Sequence, residues 1–125
     1  LLTMISSLSF SSNYLKNSLP SELGNLNLMT VLDLFSNQFS GSIPSEFGSL
    51  ASLSILNPYS NSLSGALPSQ IGRIFTMLEF DLSQNNFTDS IPSEIGNLIS
   101  LTEFNLRMNF FNGSLPSELG KLTSI

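Results

Sequence analysis

The chain has 125 residues, 41% hydrophobic and 10% charged, with four basic and nine acidic side chains giving a net charge of −5. That composition suits one ordered domain and neither a disordered tail nor two ordinary domains. Cysteine and histidine are both absent, which removes disulfides, thiolate chemistry, imidazole acid–base catalysis and most zinc or copper sites.

The opening stretch, LLTMISSLSF, lacks the basic n-region and long apolar core of a signal peptide, and no run of 18 apolar residues occurs anywhere. The cations Lys16, Arg73, Arg107 and Lys121 are scattered, which argues against a nucleic-acid or anionic-membrane surface. One pattern then runs through the whole sequence. Asn13, Asn37, Asn61, Asn85 and Asn109 recur 24 residues apart, as do Pro20, Pro44, Pro68, Pro92 and Pro116 and the glycines Gly24, Gly48, Gly72, Gly96 and Gly120. The chain is therefore a repeat protein of about five coils.

Within each coil the elements follow in a fixed order. Leu or Phe stands five and three residues before the Asn (Leu32 and Leu34, Phe80 and Leu82, Phe104 and Leu106), a period of two that predicts a short strand with one buried face. The Asn suits a buried corner, where its amide satisfies backbone groups of neighbouring coils. Four residues on come Asn17, Gly41, Gly65, Asp89 and Gly113, residue types that tolerate positive φ and predict a left-handed turn. Pro-Ser-Glu-x-Gly then reads as one 3₁₀ turn, with a fixed φ at its start and a permissive residue at its end. Leu26, Leu50, Ile74, Leu98 and Leu122 return the chain to the core. In coil three Pro58 takes the place of Phe10, Leu34, Leu82 and Leu106. It cannot donate to a strand ladder, at an expected cost of about 1–3 kcal/mol if the facing carbonyl stays unsatisfied.

These columns resemble the plant-type leucine-rich repeat, LxxLxxLxLxxNxLxGxIPxxLGxL, over essentially all 125 residues. The resemblance implies a right-handed solenoid with a parallel β-sheet on its concave face. It further implies a second short strand around Leu-Ser-Gly and 3₁₀ turns on the convex face. Cys-paired caps, usual in such ectodomains, are missing. LTMI at residues 2–5 matches LTSI at 122–125 in phase. The chain thus reads as a single domain, residues 1–125, forming a block of a longer array, with self-association through its uncapped ends as one option.

The repeated Ser-Glu of LPSELG offers no positioned base and no oxyanion donors, and Gln70 replaces Glu in one copy. It fits a solvated turn start better than a catalytic pair, and neither an enzymatic role nor a cofactor or metal is expected. Function in a solenoid sits on the columns the scaffold leaves free. Six, four and two residues before each Asn, and at the residue just before it, side chains should face outward from the strand surface. Val31, Phe35, Ile55 and Tyr59 are expected to form an exposed apolar patch there, and Glu79, Asp81, Glu103 and Arg107 a mainly acidic zone beside it. The same residues are equally well explained as strand formers, and Asp33, Asn57, Asp81 and Asn105 as a polar filler ladder.

The expected partner is a protein or peptide on this face, with a secreted inhibitor of a cell-wall hydrolase as the alternative. A hydroxyl row (Ser40, Ser64, Thr88; Ser18, Ser42, Ser90, Ser114) leaves a third option, a surface that contacts polysaccharide or ice. Asn86-Phe87-Thr88 and Asn112-Gly113-Ser114 are N-glycosylation sequons, which agrees with an extracellular setting.

Overall fold

Strands of three or four residues cannot bury an apolar face alone, so this sequence folds only by stacking one coil on the next. The structure, a computed structural model, describes residues 4–125, so the first two residues of the LTMI stretch lie outside it. Five strands, β1 (Ser7–Ser9), β3 (Val31–Asp33), β5 (Ile55–Asn57), β7 (Glu79–Asp81) and β9 (Glu103–Asn105), form a parallel sheet in that order. A second parallel sheet orders β2 (Lys16–Ser18), β4 (Gln38–Gly41), β6 (Ser62–Gly65) and β8 (Asn86–Phe87). The 3₁₀ turns Ser21–Asn25, Ser45–Ser49, Ser69–Arg73, Ser93–Asn97 and Ser117–Lys121 complete the coils. Each follows a Pro whose φ lies between −61° and −70°, as the pyrrolidine ring dictates.

The two sheets keep different registers. In the first, residues 24 apart face each other (Val31 opposite Ile55, Glu79 opposite Glu103). In the second the offset is 22, so Ser40 faces Ser62 and Ser64 faces Asn86. The expected hydroxyl row is therefore not a ladder of facing residues; each coil shifts it two residues along the strand.

Between the sheets and the turns lies one continuous core. Leu32, Leu34, Leu56, Phe80 and Leu82 enter it from the first sheet, Phe39, Leu63 and Phe87 from the second, and Leu50, Ile74 and Leu98 from the end of each turn. The Asn column ties these layers together. The amide of Asn85, 4% exposed, donates to the carbonyls of Leu82 and Ser83 in its own coil and to Pro58 of the coil before, at 3.0–3.3 Å. Its Oδ1 accepts the Leu63 N–H at 3.0 Å. Asn37, Asn61 and Asn109 repeat this set. The predicted left-handed column is also present, with φ of 73°, 74°, 79°, 62° and 79° at Asn17, Gly41, Gly65, Asp89 and Gly113.

Two features depart from the sequence reading. The glycines closing the first four 3₁₀ turns, Gly24, Gly48, Gly72 and Gly96, are needed for close approach, not for an unusual φ. A Cβ on Gly72 would lie 2.4 Å from the Glu94 carbonyl oxygen of the next coil, and on Gly24 2.5 Å from that of Glu46. At Gly120 it would meet nothing within 4 Å. Pro58, for its part, breaks a backbone series. Leu34 and Leu82 donate their N–H groups to Asn57 O and Asn105 O, both at 2.9 Å, and Pro58 has none to give. Pairing of β5 with β7 accordingly covers Ile55 and Leu56 alone, one residue fewer than the neighbouring pairs.

These contacts set two stability tests by denaturant unfolding. Asn85→Ala strands the Leu63 N–H and thins three carbonyl contacts, so a loss of about 2–4 kcal/mol is expected, against under about 1 kcal/mol for the exposed Asn13→Ala. Gly72→Ala is expected to cost about 1–3 kcal/mol through overpacking. Gly120→Ala should be neutral or stabilising by up to about 1 kcal/mol.

Candidate functional site

The outward side of the first sheet carries the side chains that differ from coil to coil. Val31 faces Ile55 across the β3–β5 ladder, and two residues beyond each strand Phe35 and Tyr59 stack with ring centroids 5.0 Å apart and planes within 4°. The sequence brings the four together as expected. All four are half-buried and not freely exposed, and the two rings each cover a face of the other.

The polar column beneath the rings explains their alignment. Asp33 Oδ1 accepts the Phe35 N–H at 3.2 Å, and Asn57 Oδ1 accepts the Tyr59 N–H at 3.3 Å, so each aromatic hangs from the same side-chain-closed turn. The two turns are joined, since Asn57 Nδ2 donates to Asp33 Oδ1 at 3.2 Å. Coils four and five repeat the device: Ser83 N–H donates to Asp81 at 2.8 Å, Arg107 N–H to Asn105 at 3.1 Å, and Asn105 Nδ2 to Asp81 at 3.4 Å. Along the stack the column reads Asp, Asn, Asp, Asn. The alternation gives each carboxylate an amide donor beside it and keeps like charges from facing each other. Ser9 Oγ, donating to Asp33 at 3.0 Å, ends the series. The column is thus a polar support for the residues above it.

The acidic zone is adjacent. Glu79 and Glu103 face each other across β7–β9, both exposed, with exposed Arg107 at the end of coil five and Asp81 half-buried between the strands. Phe35 and Tyr59 thus give way to a carboxylate-rich surface one to two coils along.

The residue just before each Asn was expected to be one more outward position on the strand. The backbone there is left-handed instead, with φ of 57°, 53°, 57°, 53° and 56° at Ser12, Ser36, Ser60, Gln84 and Met108. Ser, Gln and Met give no local sign of this; the Asn clasp, which holds the carbonyls two and three residues earlier, forces the chain round. The strands end at the fourth residue before the Asn, and the later positions line the rim. Away from this face, the hydroxyls of Ser45, Ser93 and Ser117 donate to the neighbouring Glu46, Glu94 and Glu118 at 3.2–3.3 Å on the turn surface. The sequence reading placed Met108 in the outward column just before the Asn but missed other exposed apolar residues, among them Phe75, Ile99 and Phe110.

A profile described as Leucine Rich Repeat matches residues 4–26, 29–50, 76–98 and 100–122, which is most of the chain. The chain belongs to the leucine-rich repeat family. The stretch between the second and third matches is the coil that carries Pro58. Among solved structures, the plant peptide hormone receptor RGFR1 in complex with RGF2 is 33% identical with a TM-score of 0.96, over 99% of this chain and 20% of that one. The ectodomain of the Arabidopsis thaliana membrane receptor kinase GASSHO1/SCHENGEN3, in complex with CASPARIAN STRIP INTEGRITY FACTOR 2, is 35% identical with a TM-score of 0.91, over 93% of this chain and 14% of that one. The BIR3–SERK2 complex, also from Arabidopsis thaliana, is 35% identical with a TM-score of 0.85, over 91% and 61%. The chain spans between about a seventh and three fifths of these relatives. No curated protein sequence gives a match. The parallel first sheet is the concave face of this solenoid, and the 3₁₀ turns form the convex one.

The alternating support column makes a charge-dependent prediction. Asn57→Asp would put three carboxylates in consecutive coils and remove the donor to Asp33. Thermal melts at low salt should show a loss of about 1 kcal/mol, mostly recovered at 1 M salt; a salt-independent loss would mean that the lost hydrogen bond to Asp33, and not like-charge repulsion, is what the alternation protects.

Proposed function

We propose that this chain is a non-enzymatic recognition module that binds a protein or peptide ligand on its concave face. The observation that carries the reading is the Phe35–Tyr59 stack, flanked by Val31 and Ile55 and set beside the Glu79, Asp81, Glu103 and Arg107 zone. Aromatic side chains held rigid before binding lose little ordering entropy on contact, and amphipathic rings beside polar groups are the usual make-up of an interaction hot spot. Asp33 and Asn57 act in this reading by positioning the rings.

The relatives support the same reading. Solved neighbours include a plant peptide hormone receptor in complex with RGF2, the ectodomain of a plant membrane receptor kinase in complex with CASPARIAN STRIP INTEGRITY FACTOR 2, and the BIR3–SERK2 complex. An extracellular or cell-surface setting follows by the same likeness. An extended peptide lying along the solenoid would cross from the aromatic stack to the carboxylates, so the favoured ligand has an apolar or aromatic segment next to a basic one.

Panning a displayed library of short peptides against the immobilised chain tests the proposal. The wild type should enrich a family of sequences, and Phe35→Ala with Tyr59→Ala should reduce the affinity of the enriched peptides at least tenfold while Tm stays within about 3 °C. Unchanged affinity in that variant would refute the concave-patch reading.

A further inference from the structure

The flank between coils four and five combines three features that the concave-face reading does not use. Met108 and Phe110 are large apolar side chains left 59% and 66% exposed. They line an open groove together with Gln84 and Asn86. Asn86 opens the sequon Asn86-Phe87-Thr88 and is itself exposed. Phe87 between them is buried in the core, so Asn86 and Thr88 occupy alternate positions of an extended segment and share its outer side.

The asparagines of the repeat column cannot serve as glycan acceptors, since their amides are committed to the ladder and none of them starts a sequon. Asn86 makes no side-chain hydrogen bond among the described residues, and its amide is free. We propose that Asn86 carries an N-linked glycan whose core sugar lies along the groove and covers Phe110 and Met108. The reaction would be transfer from a polyprenyl-diphosphate-linked oligosaccharide: the sugar C1–O bond to the diphosphate breaks, a C1–Nδ2 bond forms, and the amide proton leaves with the polyprenyl diphosphate released. The attached pyranose presents a face of C–H groups. That face suits the negative face of an aromatic ring, and its contact removes apolar surface from water. Such a glycan would make exposed Phe and Met side chains tolerable on a soluble flank, and the inference does not depend on what binds the concave face.

The test uses the full chain secreted from a eukaryotic cell line, in a Ser114→Ala background so that Asn112 carries no sugar. Peptide mapping by mass spectrometry should find Asn86 occupied, with occupancy lost in Thr88→Ala. Enzymatic removal of the glycan should then lower Tm by about 2–4 °C, and by less than half as much in Phe110→Ser. The Asn-to-Asp conversion that accompanies removal is common to both proteins and cancels in the comparison. The Met108 methyl resonance should also shift on removal, a readout that needs no substitution in the groove. Unmodified Asn86 in the secreted protein overturns the proposal, as does occupancy with equal Tm losses and an unmoved Met108 signal.

Discussion

Everything in this molecule depends on one side-chain amide used repeatedly. Asn37, Asn61, Asn85 and Asn109 each donate to two carbonyls of their own coil and one of the coil before, and accept an N–H from the coil before at the second sheet. A chain that turns so sharply leaves buried backbone groups with no strand or helix to satisfy them, and each orphan costs about 1–3 kcal/mol. The amide, with donors on one side and an acceptor on the other, meets both needs from a single residue. It also fixes the geometry around it. The left-handed rim at Ser36, Ser60 and Gln84, the direction of the strands before it and the start of the second sheet after it all follow from that clasp.

A frame so repetitive leaves the variable columns to set function. On the concave side the Asp/Asn column shows how scaffold and surface meet: Asp33 and Asn57 are scaffold by their hydrogen bonds, yet those bonds aim Phe35 and Tyr59. The same logic applies to Pro58. It removes one ladder bond between β5 and β7, next to Tyr59, but its carbonyl is still held by Asn61 and Asn85. The solenoid absorbs a missing donor in one coil because its neighbours hold the corner.

Much of this is legible in the sequence, because the period turns weak local signals into columns. The strands, the 3₁₀ turns after each Pro, the positive φ at Gly41 and Asp89 and the Asn corner are all properties of residue type in register. What the sequence hid were relations between coils. Gly72 looks like a turn residue until the Glu94 carbonyl is seen against it, and no local pattern shows a contact with the following coil. The 22-residue register of the second sheet, which takes Ser64 out of line with Ser40, is a relation between coils that the 24-residue period does not show. The candidate site was half legible: the columns named Val31, Phe35, Ile55 and Tyr59, whereas the parallel stacking of the rings and their partial burial needed side-chain positions.

The central claim is that the repeat columns hold the frame and the concave variable columns choose the partner. The most direct measurement is a scan of every position by substitution, sorted once for folded display and once for binding of a library-selected peptide. The account predicts that losses of binding with folding intact cluster at Val31, Phe35, Ile55, Tyr59 and the Glu79–Arg107 zone, while Asn37, Asn61, Asn85 and Asn109 and the glycines Gly24, Gly48, Gly72 and Gly96 lose both together. Binding-specific losses concentrated on the 3₁₀ turns or the second sheet would contradict it.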